Sequence, residues 1–311
     1  MEQILTQGFV ENFFFAVLRM STPLIFCAMG ALISRHAGTI NLAMEGILLT
    51  AGLLGVIFSA ITQSLLIGAL GAIAGGVLIS LVMGYMNIII DANLMLTGVS
   101  LNQFASGGTL FLLFAITGDM GSSRMLRSLT FPRIDLPLIQ DIPFIGPVFS
   151  GHNILTYMAF ILAFVTWFFV FRTKTGLRIR AIGFNPNAAA SVGINVKRIK
   201  FSAFVYSGVF AALGGAFLAM GYLSFWAPDM TAGRGFIGIA ATNLAEGNVL
   251  VSVLASIFFG FTDQLAITLQ TLNLRPQLLQ MIPYLSTVLG LVIISIIRQN
   301  RENKRRAERL H

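Results

Sequence analysis

The chain has 311 residues, of which 56% are hydrophobic and 10% charged, with a mean hydropathy of +0.84, whereas a soluble domain carries roughly a quarter charged residues. A water-soluble fold cannot hide that much apolar surface, and apolar runs of about 18 residues or more recur along the chain, so it spans a bilayer several times. The net charge of +8 does not point to nucleic acid: thirteen of the 20 Lys and Arg fall in two short stretches beside apolar spans, seven within 172–200 and six within 298–309, which is the positive-inside pattern rather than a nucleic-acid-binding module.

Residues 1–8 lack the basic region of a signal peptide, so the first apolar stretch is expected to be retained. Residues 9–34 are apolar but interrupted by Glu11, Arg19 and Pro23, which fits an interfacial helix leading into a first span from about Thr22, with Arg19 at the headgroups. Cys27 lies alone inside this run and packs as a small hydrophobe, and His36, His152 and His311 are too scattered for a metal site. No cofactor is read from the sequence.

Spans follow at 44–60, 64–86 and 94–116, and then a polar segment, 117–151, in which three Arg balance three Asp. Its neutrality assigns it to the outside. Residues 154–171 return the chain to the basic loop 172–200, after which come 201–225, the long run 236–272 broken by polar residues at 246–248, and 278–297. The expected fold is an all-α polytopic bundle of about nine spans, eight to ten being compatible, with the N-terminus outside and the C-terminus cytoplasmic. A single transmembrane domain covers 1–297 and a basic cytoplasmic tail 298–311. Small residues at helical spacing, Gly68, Ala72, Gly76 and Gly208, Ala212, Ala216, allow close helix approach, within the bundle or at a dimer face.

In the basic loop, Asn185 is a good N-cap, Pro186 suits the first helical position, Ala188 to Ala190 favour helix and Gly193 is a natural stop. A helix of about two turns is expected there, too short to stand alone and therefore docked onto something.

Earlier in the chain, Asn41 is placed to cap a helix and Glu45 lies one turn on, near its positive end. A carboxylate entering a span needs a partner or a function, and capping and a translocation gate both remain open for it. Asn102, Gln103 and Phe104 sit inside an apolar span, where an amide pair either bonds between helices or contacts solute. Asn243 to Gly247 faintly echo the segment from Asn41 to Gly46, which reads as coincidence.

The pattern Thr175-Gly176, Arg180-Ala181, Gly183, Asn185, Ala188-Ala189, Gly193-Ile194, Lys200 and Ser207-Gly208 resembles the permeases of ABC importers for branched-chain amino acids, ribose and other simple sugars, and nucleosides. Asn41 followed four positions later by Glu45-Gly46 is similar to the nucleoside and simple-sugar branch. The stretch from Phe225 through Trp226 and Pro228 to Phe236 also resembles the family, although Ala241 to Asn248 departs from its usual small, apolar continuation. The resemblance implies a multi-pass protein of the bacterial inner membrane in which Asn185, Pro186, Ala188, Ala189 and Gly193 form a coupling helix seated in a cytoplasmic ATPase. It also implies a second permease subunit, a different homologue or a second copy, and an extracytoplasmic solute-binding protein. Asn41, Glu45, Asn102, Gln103, Phe104, Trp226 and Phe236 are the candidates for the pathway or gate.

No Gly-Lys dipeptide occurs, hence no P-loop, and neither G-x-S-x-G nor H-E-x-x-H is present. An ATPase must be a separate polypeptide, and an intramembrane enzyme has no chemical support. The alternative is a stand-alone carrier for a small solute, which needs a mid-span ionisable group, and Asp263 is the one candidate.

Overall fold

The computed structural model describes residues 7–137 and 142–270, together with 281, 285, 286, 288–290 and 292. Eleven α-helices occupy the described residues: α1 (Gln7–His36), α2 (Met44–Thr62), α3 (Leu65–Ile88), α4 (Leu94–Thr117), α5 (Ile145–Phe149), α6 (Ile154–Arg172), α7 (Lys174–Phe184), α8 (Pro186–Ser191), α9 (Val196–Phe217), α10 (Arg234–Leu244) and α11 (Val249–Gln270). Seven helices, counting α9 with the π-helical turn Leu218–Tyr222 that extends it, are long and apolar enough to cross a bilayer. The seventh expected crossing in chain order, α10, has 11 residues and so rises only about 16 Å, half a bilayer core. The ninth, at 278–297, and the tail 298–311 lie largely or wholly outside the described residues.

The helix starts follow from local chemistry. Asn93, Asn153 and Asn195 each accept hydrogen bonds from the first turn of α4, α6 and α9, which satisfies N–H groups that no carbonyl of the helix can reach. α4 stops at Gly118 in the left-handed region, φ 72°, where a Cβ would be strained.

α1 departs from the expected interfacial helix plus span. It is one 30-residue helix with Pro23 inside it, and Arg19 lies within it, its guanidinium 4.9 Å from the Tyr222 ring centroid. The cation packs on this aromatic face.

α1, α2 and α9 form the centre: 89%, 72% and 78% of their most apolar windows are buried, against 22–39% for the other four spans. Both small-residue stripes serve this interior. A Cβ added at Gly76 would lie 2.6 Å from the Ala212 Cβ, and one at Gly208 would lie 2.7 Å from the Ser80 Cβ, so α3 and α9 approach backbone to backbone. Ala72, Ala212 and Ala216 are fully buried. The stripes are packing within the bundle, not a dimer face.

α6 runs about 28 Å between two contrasting ends. At one end α7, which follows α6 after a single residue, and α8 crown the bundle. At the other, the 118–153 segment folds back over the helices: Ser123 and Trp226 exchange two hydrogen bonds and Phe131 N–H donates to the Met220 carbonyl at 2.9 Å. The segment includes a two-residue antiparallel ladder, β1 (Arg133–Ile134) with β2 (His152–Asn153). His152 stacks on Phe15 at 4.0 Å between centroids and its Nε2–H donates to the Val148 carbonyl. Burial pushes its pKa below the usual histidine value.

Candidate functional site

Between α1 and α2 the chain leaves helical geometry for residues 37–43. Asn41 is fully buried there; its amide donates to Ser80 Oγ at 2.9 Å and Ser207 Oγ at 3.1 Å, tying the segment to α3 and α9. Among the described residues its Oδ1 accepts only from the Ala43 N–H, and the residue before α2 makes no side-chain cap. The cap expected from Asn41 is supplied across the bundle by Asn102 on α4: its Oδ1 accepts from the Gly46 N–H at 2.8 Å and its amide donates to the Leu42 carbonyl at 3.0 Å. With both ends of its amide used, Asn102 is an interhelical tie.

Glu45, in the first turn of α2, spends its carboxylate on a second helix start. Oε1 accepts from Gly233 N–H and Oε2 from Gly235 N–H, each at 2.8 Å. These are the first free N–H groups of α10, so one negative charge sits between the positive ends of two helices. The approach needs glycine: a Cβ at Gly235 would fall 2.7 Å from Oε2 and 2.6 Å from the Glu45 nitrogen, and Gly233 has φ 78°. α10 is secured further by Arg234, whose guanidinium pairs with Asp263 of α11 at 3.0 Å and bonds the Met230 carbonyl.

A cavity of about 190 Å³ opens beside this clamp, lined by Glu45, Leu49, Val99, Asn102, Gln103, Ser106, Asp229 and Phe236. Four of the residues singled out from sequence therefore meet: Glu45, Asn102, Gln103 and Phe236. Phe104 is 68% exposed and does not line the cavity. Trp226 is fully buried; its indole N–H donates to the Leu49 carbonyl at 3.0 Å, so it fastens the segment before α10 onto α2. Asp229 was not singled out by sequence, being in a turn with no motif of its own, and no sequence signal distinguishes it. A second cavity, about 580 Å³, lies at the α7/α8 end between residues 35–42 and the start of α4.

At that end Asn185 Oδ1 accepts from the N–H groups of Asn187 and Ala188, Pro186 opens α8, and Gly193 takes φ 81° after it. Ala189 is 4% exposed, whereas Ala188 faces out. Phe184 and Val192, on either side of α8, are 93% and 74% exposed. The preceding α7 was not foreseen. Gly176, Ile179 and Ile182 bury one face of it, and Gly183 packs directly on the backbone of His36 and Gly38.

A sequence model described as the permease component of branched-chain amino acid transport systems matches residues 13–297. The chain belongs to this permease family. The guanosine ABC transporter permease protein NupQ of Bacillus subtilis (strain 168) is 32% identical over 287 residues, 89% of each chain. The putative glucose ABC transporter permease protein TsgC13 of Haloferax volcanii is 29% identical over 306 residues, 90% of this chain and 91% of that one. The nucleoside ABC transporter permease protein NupC of Lactococcus lactis subsp. cremoris is 30% identical over 289 residues, 89% and 90%. No solved structure matches the chain. The protein is thus an ABC importer permease and a transport component, not an enzyme. The stand-alone carrier also loses its ion-coupling candidate, because Asp263 is engaged by Arg234.

Proposed function

We propose that the chain forms half of an import pathway for a nucleoside or simple sugar, driven by a separate ATPase gripping α8. The observation that carries the coupling is the form of α8: a capped, six-residue helix, seated on the bundle through Ala189 and otherwise exposed, between two bare apolar side chains, Phe184 and Val192. A soluble face of this kind asks for a partner with an apolar cleft. The basic residues from Arg172 to Lys200 favour a cytoplasmic position for this end. With α10 as a half-span descending to the turn at 245–248, nine crossings keep the N-terminus outside, and the 118–153 segment faces the solute-binding protein.

The cargo follows the relatives, whose names give guanosine, nucleosides and glucose. The pathway is assigned to the face where α4 meets α10. Gln103, near the middle of α4, and Asp229 are exposed there, and such groups are costly against lipid. A second permease chain, a homologue or a second copy, would cover this face and enclose the cavity between the two.

The test is Ala188→Glu, which alters the outward face of α8 and spares the buried Ala189. Membrane insertion is expected to be unchanged while co-purification of the ATPase and uptake are lost. Full uptake in this variant would refute the coupling role.

A further inference from the structure

Resting on the pathway assignment above, we infer that the cavity between α2, α4 and α10 is a way-station that reads the sugar ring of the solute, with Asp229 accepting hydrogen bonds from two adjacent hydroxyls. The groups that line it divide into spent and unspent. The Glu45 carboxylate is taken by Gly233 and Gly235 and the Asn102 amide by Gly46 and Leu42. The Asp229 carboxylate, the Gln103 amide and the Ser106 hydroxyl have no hydrogen-bond partner among the described residues. Phe236, 47% exposed, presents its ring to the same space.

That unspent set has a definite complement. A carboxylate has two acceptor oxygens and no donor, so it suits a pair of neighbouring O–H donors, while an amide and a hydroxyl serve further groups of either kind. An aromatic ring offers an apolar face to the C–H side of a pyranose or furanose. Among the described residues two carboxylates and no cation line the cavity, so a phosphorylated solute finds repulsion there and no counter-charge. The charge of Glu45 is already answered by two helix N-termini, which leaves little net attraction for a cation. The volume, about 190 Å³, is below the roughly 300 Å³ at which drug-sized pockets begin, and fits one ring. Nucleosides and hexoses share such a ring, which makes one site compatible with both.

The test uses membranes containing both permease subunits and the ATPase, labelled with maleimide in the absence of binding protein and assayed for uptake after the binding protein is added back, and a Val99→Cys variant, at a position that lines the cavity while Cys27, the one native cysteine, stays fully buried. Maleimide modification at position 99 is expected to abolish uptake. Guanosine or glucose is expected to slow that labelling several-fold. The 2′,3′-dideoxy analogue of guanosine, guanosine 5′-monophosphate and choline are expected to leave it unchanged. Adding Asp229→Asn is expected to erase the protection, and Asp229→Glu to retain part of it. If modification leaves uptake intact, the pathway assignment falls and takes the way-station with it. If uptake is blocked but no sugar protects, or dideoxyguanosine, the monophosphate or choline protects equally, or protection survives Asp229→Asn, the sugar-ring reading alone is overturned.

Discussion

Replacing Glu45 tests the joint between α2 and α10. Two N–H···O⁻ bonds of 2.8 Å end on its carboxylate, and hydrogen bonds to a charged group contribute about 1.5–3 kcal/mol each. At this half-buried position the lower figure applies, giving about 3 kcal/mol for the pair. Glu45→Ala removes both acceptors and strands two donors. Glu45→Gln keeps one acceptor oxygen but sets an amide N–H against a backbone N–H, so about half the loss is expected. At roughly 2 °C per kcal/mol for a chain of this size, Tm should fall by about 6 °C in the first variant and about 3 °C in the second. Fluorescence-detected size-exclusion after a temperature series in detergent reads both. Gly235→Ala, whose new Cβ would displace the same carboxylate, should match Glu45→Ala. Wild-type Tm in Glu45→Gln together with wild-type Tm in Gly235→Ala would refute the clamp.

Arg234→Ala strands the Asp263 carboxylate, and breaking a buried pair costs about 3–5 kcal/mol. With side chains 11% and 22% exposed, about 2 kcal/mol is expected here, and the exchange Arg234→Asp with Asp263→Arg should recover part of the lost Tm. His152 is buried and its pKa lies below the ordinary 6.5, so the unfolded chain takes up its proton first as pH falls. Its contribution is complete above pH 6.5 and is lost as pH drops through the lowered folded value. Tm measured from pH 7.5 to 5 should decline, and His152→Phe should flatten that decline.

The spans were legible because apolar length alone identifies a bilayer crossing, and α8 because Asn185, Pro186 and Gly193 punctuate it. α7 was hidden by its charge: three basic residues, Lys174, Arg178 and Arg180, surround the short buried stripe of Gly176, Ile179 and Ile182, so composition reads as loop while spacing makes a helix. The interfacial break expected near Thr22 failed because Pro23 sits inside a helix gripped on most sides, where neighbours outweigh its lost hydrogen bond. The cap of α2 and the partner of Glu45 were not legible for a different reason. Asn102 lies 56 residues from Gly46, and Gly235 lies 190 from Glu45, so no local pattern could announce them. Asp229 was silent because a carboxylate in a turn is ordinary until the fold brings a cavity to it.

The position of α1 bears on how the molecule is made. It leaves the ribosome before the other described helices, yet it is the most enclosed of the spans, and much of its cover comes from α9, α10 and α11. During synthesis it must therefore wait in lipid, with Ser21, Thr22 and Ser34 protected only by bonds to carbonyls of their own helix, until the last third of the polypeptide arrives. Assembly is accordingly post-insertional, and a chain interrupted before residue 196 would hold an orphaned central helix, a ready substrate for membrane quality control.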